Sequence, residues 1–177
     1  MARRADEEAA VASERPRVLF LCTGNSCRSQ MAEGWARAMH GDALDAVSAG
    51  TAPSTLNRLA VRAMGEAGID ISAQSSKRVE ELRGMGPIDV VVTVCDSAHQ
   101  SCPVFPGATR VVHVGFDDPP HLAREAANDD EAMPHYRRVR DEIRDFIRTL
   151  PAFVAKATGG NVEHNTNAPR IGTQKAH

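Results

Sequence analysis

The sequence predicts an α/β fold of three layers, a four-stranded parallel sheet flanked by helices. Three observations predict it. Short continuous apolar runs rich in Val, Ile and Leu alternate with segments whose apolar residues repeat at helical spacing. The runs are continuous rather than alternating, as strands buried on both faces require. The first and third runs lead directly into Cys22 and Cys95, and ligands in open parallel sheets bind beyond the carboxyl ends of the strands.

Residues 1–16 are small, charged and without period, so they are read as a flexible leader. Val18 to Leu21 is the first strand, and it stops at a polar loop beginning with Cys22. From Ser29 the pattern turns helical, with Met31, Trp35, Ala38 and Met39 on one face and Gly41 as the stop. Trp35 is assigned to the core. Leu44 to Ala49 is the second strand; Leu56, Leu59, Ala60, Ala63, Met64 and Ala67 mark a helix ending at Gly68. Val79 and Leu82 share a short helix. Ile88 to Val94 is the strongest strand and Thr109 to Val114 the fourth. A long helix follows, striped by Tyr136, Val139, Ile143, Phe146, Ile147 and Leu150, with Arg137–Asp141 and Arg138–Glu142 as i, i+4 pairs on its wet side. One domain therefore spans 17–150, and residues 151–177 are expected to be a flexible tail.

Composition narrows the function. The chain has 177 residues, 42% hydrophobic and 25% charged, which suits one soluble domain. With 21 basic and 23 acidic residues the formal net charge is -2, and no field favours nucleic acid or an acidic membrane. Asp6, Glu7 and Glu8 stand where a signal peptide carries its apolar stretch. The expectation is a cytoplasmic protein, in which four cysteines are catalytic, redox-active or metal-binding rather than a framework of bridges.

The chemistry concentrates in Cys22-Thr-Gly-Asn-Ser-Cys-Arg-Ser29, between a buried strand and a helix. A curled loop there turns the N–H groups of Thr23, Gly24, Asn25, Ser26 and Cys27 toward one point, and the helix N-terminus adds its positive end. That is an oxyanion cradle. Arg28 can clamp two oxygens of the anion, and the positive surroundings are expected to lower the Cys22 thiol pKa so that it attacks as thiolate. Ser29 can donate to that sulfur. The bland alternative is an inert buried cysteine at a strand end. A Walker loop is excluded by the missing Gly-Lys-Ser/Thr ending.

This segment resembles the active-site loop of the low-molecular-weight protein tyrosine phosphatases and of the arsenate reductases that share their fold. The stretch from Cys22 to Trp35 is more similar to the thioredoxin-coupled arsenate reductases, and the similarity runs from Arg17 to Leu150. The resemblance implies a low-molecular-weight phosphatase-like fold, and an Asp-Pro pair whose aspartate is the general acid. That role falls on Asp118, before Pro119. A carboxylic acid near a departing oxygen can supply its proton, whereas Asp and Pro are also turn formers.

Cys95 and Cys102 separate the two activities. A phosphatase needs one cysteine; a reductase must obtain two electrons, and further thiols supply them by disulfide exchange. The segment from Val94 to Pro103 resembles the redox segment of thioredoxin-coupled arsenate reductases. In a rigid helix its seven-residue spacing spans roughly 10 Å, too far for a bridge, so closure requires unwinding. Zinc fits poorly, because Cys95 and Cys102 are widely spaced and Arg28 adjoins Cys27. Cys27 is read as a spectator. Of the seven histidines only His99 is near the chemistry.

The resemblance implies reduction of arsenate to arsenite in arsenic detoxification. Cys22 attacks arsenate, Cys95 releases arsenite, and Cys102 closes a Cys95–Cys102 disulfide for thioredoxin. No metal and no cofactor is expected, and the chain is taken as a monomer. The alternatives are a tyrosine phosphatase using Cys22, Arg28 and Asp118, and a redox-sensing module. Some of these reductases hold potassium at positions matching Asn25, Glu33 and Ser48 plus an acidic residue near Lys77. Here a lysine stands at the last position, so no potassium requirement is expected. The phosphatases place an aromatic residue after the Asp-Pro pair, where this chain has Pro120.

Overall fold

The computed structural model describes residues 15–103 and 109–159. Four parallel strands form one sheet in the order β2-β1-β3-β4. They are β1 (Arg17–Cys22), β2 (Asp45–Gly50), β3 (Val90–Thr93) and β4 (Arg110–His113). Val18 to Leu21 are fully buried at both parities, so helices cover both faces of β1. The edge strand β4 differs, and its Val111 is 44% exposed. The expected strands at Ile88 and Thr109 are each shorter than their apolar runs, because β3 and β4 pair only over Val90–Thr93 and Arg110–His113.

Helix α1 (Arg28–His40) follows the loop and buries Met31, Ala32, Trp35 and Ala36. Gly41 closes it, but with φ -57 rather than the left-handed cap the sequence suggests. The requirement is steric, since a Cβ there would lie 2.7 Å from the Arg37 carbonyl oxygen. Helix α2 (Arg58–Glu66) is capped by Asn57, whose side-chain oxygen accepts from the Leu59 and Ala60 amides. Gly68 at φ +82 then turns the chain. Val79–Leu82 is a single 3-10 turn.

Helix α3 (Asp96–Gln100) and helix α4 (Pro119–Leu122) are short, and α5 (Asp129–Arg148) is the long helix. Its buried stripe is Ala132, Met133, Tyr136, Val139, Ile143 and Ile147, spaced as a core-facing helix requires. Arg138 pairs with Glu142 at 2.7 Å as expected, but Arg137 reaches Glu66 on α2 instead of Asp141. A tertiary partner has displaced the local one. The tail expected from residue 151 begins with helix α6 (Leu150–Gly159), which buries Leu150 and Val154 and packs Phe153 edge-on against Phe146 at 5.4 Å. Helix α6 therefore occupies nine residues assigned to the tail, because a local excess of polar residues further on hid an apolar pair at helical spacing. The expected leader up to residue 14, and the tail from 160, lie outside the described residues.

Candidate active site

Because β1 and β3 are parallel neighbours, their carboxyl ends share one edge of the sheet. Cys22 closes β1, and Cys95 lies two residues beyond β3 as the N-cap of α3. The loop between β1 and α1 curls for a definable reason: its carbonyls are committed outward. Those of Cys22, Thr23, Gly24 and Ser26 accept from the amides of Thr51, Ala52, Ser54 and Asn57 at 2.8 to 3.2 Å. The Asn25 carbonyl accepts from Gln30 Nε2 at 2.8 Å and from the Ser76 hydroxyl. Peptide N–H groups therefore face the opposite side, the arrangement that binds anions. The Asn25 amide donates to Cys22 Sγ at 3.1 Å.

Two positions make the curl possible. Asn25 takes φ 45, the left-handed region that asparagine tolerates better than most residues. Gly50, opposite Cys22 in the sheet, lies under the loop, and a Cβ there would come within 2.5 Å of the Thr23 carbonyl oxygen. Only glycine admits so close a backbone approach.

Asn25 is also the hub of a buried polar chain. Its Nδ2 donates to Ser29 Oγ at 3.0 Å and to Ser48 Oγ at 2.9 Å, while its Oδ1 accepts from the Lys77 amide at 2.9 Å. Ser48 donates to Glu33, whose carboxylate also meets Arg37 Nη2 at 2.8 Å and Lys77 Nζ at 3.8 Å. Ser29 Oγ in turn lies 2.8 Å from Cys22 Sγ. Asn25, Ser29 and Ser48 are fully buried and Glu33 nearly so, and each of their polar side chains finds a protein partner.

The electrostatics differ from the expectation of a lowered thiol pKa. Burial pushes the Cys22 thiol up, against the hydrogen bonds from Ser29 and the Asn25 amide that pull it down, with Cys95 adding to the rise. Arg28 has two partners: Nη1 donates to the Phe116 carbonyl at 2.9 Å and Nη2 meets Asp118 Oδ1 at 3.1 Å. The guanidinium thus joins the loop to Asp118. Cys27 is pushed far above the ordinary thiol range, first by burial and then by Asp118, which keeps it a neutral core side chain.

Cys95 is buried and its Sγ accepts from the Ala98 amide at 3.4 Å; the Thr23 hydroxyl lies 3.6 Å from the same sulfur. Thr23 therefore links the loop to the second thiol. Cys102 is half-buried beyond α3, and burial raises its thiol. All four cysteines are free thiols. Among the described residues no three His, Cys, Asp or Glu side chains cluster as metal ligands. A potassium ion does not fit beside the loop, because Arg37 and Lys77 already present two cations to Glu33.

The sequence matches the low molecular weight phosphotyrosine protein phosphatase family over residues 17–159. The chain belongs to this family. Within it, the chain is 48% identical to an arsenate reductase of Halalkalibacterium halodurans over 133 residues, 75% of this chain and 93% of that protein. Solved structures share the fold, among them two of differing activity. A low molecular weight protein tyrosine phosphatase from T. tengcongensis superposes with a TM-score of 0.60 at 28% identity, covering 78% of this chain and 99% of that one. A thioredoxin-dependent arsenate reductase of Corynebacterium glutamicum gives 0.58 at 26% identity, covering 83% of this chain and 65% of that one.

The sequence reading named the loop with Cys22, Cys95 and Cys102 but missed several groups that support it. Gln30 and Gln74 bond each other and tie α1 to the 74–77 segment. Buried Thr93 and His113 meet beside α3. Neither set has a sequence signal, since each pairs residues remote along the chain.

Proposed function

We propose that the chain reduces arsenate to arsenite through a thiol-disulfide cascade, with thioredoxin as the reductant, in arsenic detoxification. The observation that carries the reading is a second thiol beside the anion loop: Cys95 Sγ stands 3.6 Å from the Thr23 hydroxyl, one residue from Cys22. A hydrolytic phosphatase has no use for that thiol. The similarity to arsenate reductases over 75% of the chain supports the same choice.

In this reading the N–H groups of Thr23 to Cys27 and of Arg28 and Ser29 hold arsenate, and the incoming anion takes over the Arg28 guanidinium. Cys22 attacks arsenic and Asp118, at the loop mouth, protonates the departing oxygen. Cys95 then attacks Cys22 Sγ. The sulfur–arsenic bond breaks, its electron pair stays on arsenic, and arsenite leaves while a Cys22–Cys95 disulfide forms. Cys102 attacks Cys95, Cys22 departs as the thiolate, and thioredoxin reduces the Cys95–Cys102 disulfide. Every group named comes from one chain, which supports a monomer. A cycle ending on a reducible disulfide belongs in the reducing cytoplasm, and no helix among the described residues is long and apolar enough to cross a membrane.

NADPH consumption with arsenate, thioredoxin and thioredoxin reductase tests the reading. Multiple turnovers per chain that stop when arsenate is omitted are expected. Brisk hydrolysis of an aryl phosphate with no arsenate-dependent oxidation would instead assign a phosphatase using Cys22, Arg28 and Asp118.

A further inference from the structure

The redox segment carries a polar cluster that neither the loop nor the thiols use. His113, the last residue of β4, stacks on His99 of α3 with ring centroids 4.5 Å apart and planes at 29°. Its Nε2 lies 3.0 Å from Asp96 Oδ1, so it donates there. Its other ring nitrogen, Nδ1, lies 2.9 Å from the hydroxyl of buried Thr93 of β3. One imidazole thus joins β3, β4 and both ends of the five-residue helix between Cys95 and Cys102.

A helix of five residues has no stability of its own and persists only through tertiary contacts. Bridging Cys95 and Cys102 requires Cα atoms at most about 7 Å apart, whereas the helical spacing puts them roughly 10 Å apart along the axis. Forming the disulfide therefore dismantles α3. The contacts of His113 with Asp96 and His99 exist only while α3 is folded against β4, so they weigh on one side of the thiol-disulfide equilibrium. We propose that His113 is a positioning residue that latches the redox helix in its dithiol form and thereby sets the reduction potential of the Cys95–Cys102 pair.

The latch rests on the proposed pairing of Cys95 with Cys102. In the cycle, Cys102 thiolate bonds to Cys95 sulfur as the Cys22–Cys95 bond breaks; Cys22 leaves with the electron pair and gains a proton. The release of His113 accompanies that exchange, which is neither an oxidation nor a reduction overall. Thioredoxin then returns two electrons, and the refolded helix is captured again by His113.

The test uses the full chain carrying Cys22→Ser, so that only the outer pair forms, equilibrated in mixtures of oxidised and reduced dithiothreitol. Oxidised dithiothreitol takes two electrons and two protons from the pair, and alkylation with mass analysis of the Cys95 and Cys102 peptides gives the equilibrium constant. Adding His113→Ala is expected to shift the constant about tenfold toward the disulfide, about 30 mV for a two-electron couple. Asp96→Asn, on an exposed side chain that does not threaten folding, and His99→Ala are each expected to shift it the same way by less. His99→Phe keeps a ring against His113 and should stay near the parent value. Equal constants in the parent, His113→Ala and Asp96→Asn overturn the latch and leave the electron route standing. Absence of any Cys95–Cys102 disulfide in the parent overturns both.

Discussion

The anion loop and the redox segment sit at the same sheet edge and are held in opposite ways. From Cys22 to Ser29 the backbone is pinned by bonds to residues 51–57, Gln30 and Ser76, and Asn25 alone touches Ser29, Ser48, Lys77, Gln30 and Ser76. From Cys95 to Cys102 the chain is one short helix with Ala98 as its buried anchor and a cluster of histidines on its flank. The difference follows from the tasks. Binding and attack on a tetrahedral anion need donors fixed to within a fraction of an ångström, whereas passing a disulfide outward needs a thiol that can travel.

That contrast can be broken most directly at its two sulfurs. Cys22→Ser is expected to remove arsenate-dependent NADPH oxidation by on the order of 10⁴-fold or more, since it removes the group that bonds arsenic. Cys102→Ser should leave binding and attack intact, release about one arsenite per chain by arsenite assay, and then stop. Sustained turnover in that variant would sink the role given to Cys102.

The rigidity of the loop is open to a smaller perturbation. Asn25→Ala strips the hub of a buried network, and a loss of about 2–4 kcal/mol is expected in denaturant unfolding, together with weaker anion binding. An unchanged midpoint would show that the network adds little. The equivalent polar deletion in the redox segment, Ser101→Ala, is expected to cost under about 1 kcal/mol, because its bond to the Ser97 carbonyl is exposed.

Two weaker effects sharpen the electrostatic side. Burial raises the folded-state pKa of both Cys22 and Cys27 above that of an ordinary thiol. The native state then holds protons that the unfolded chain releases, so their contribution to stability is complete below about pH 9 and is lost as pH rises toward the folded values. Thermal melts across the alkaline range should show falling midpoints, and Cys27→Ala should flatten that fall. Exchanging sodium for potassium should leave the turnover unchanged, because Lys77 and Arg37 already face Glu33; a several-fold rise would overturn the placement of that lysine.

Much of this molecule was readable from local pattern. The buried runs at Val18 and Val90, the helical face from Met31 and the stripe of α5 declare their elements by period, since burial on one or two faces imposes it. The Cys22 to Ser29 spacing at a strand-to-helix junction declared an anion loop for a similar reason: five residues and a helix start leave the backbone few ways to turn. The length of β3 and the partner of Arg137 were hidden because each depends on a neighbour distant in sequence, and the helix from Leu150 to Gly159 because the polar residues after it masked its short apolar repeat.

The sequence by itself determined the alternation of strand and helix, the anion loop and the presence of three candidate redox thiols, because these follow from periodicity and from short-range backbone geometry. Tertiary structure alone decided that burial outweighs the donors at Cys22, that Arg28 reaches toward Asp118, that Lys77 faces Glu33 and that His113 meets α3. Solvent exposure, charge partners and cross-strand contacts arise only when segments far apart in the chain are brought to one sheet edge.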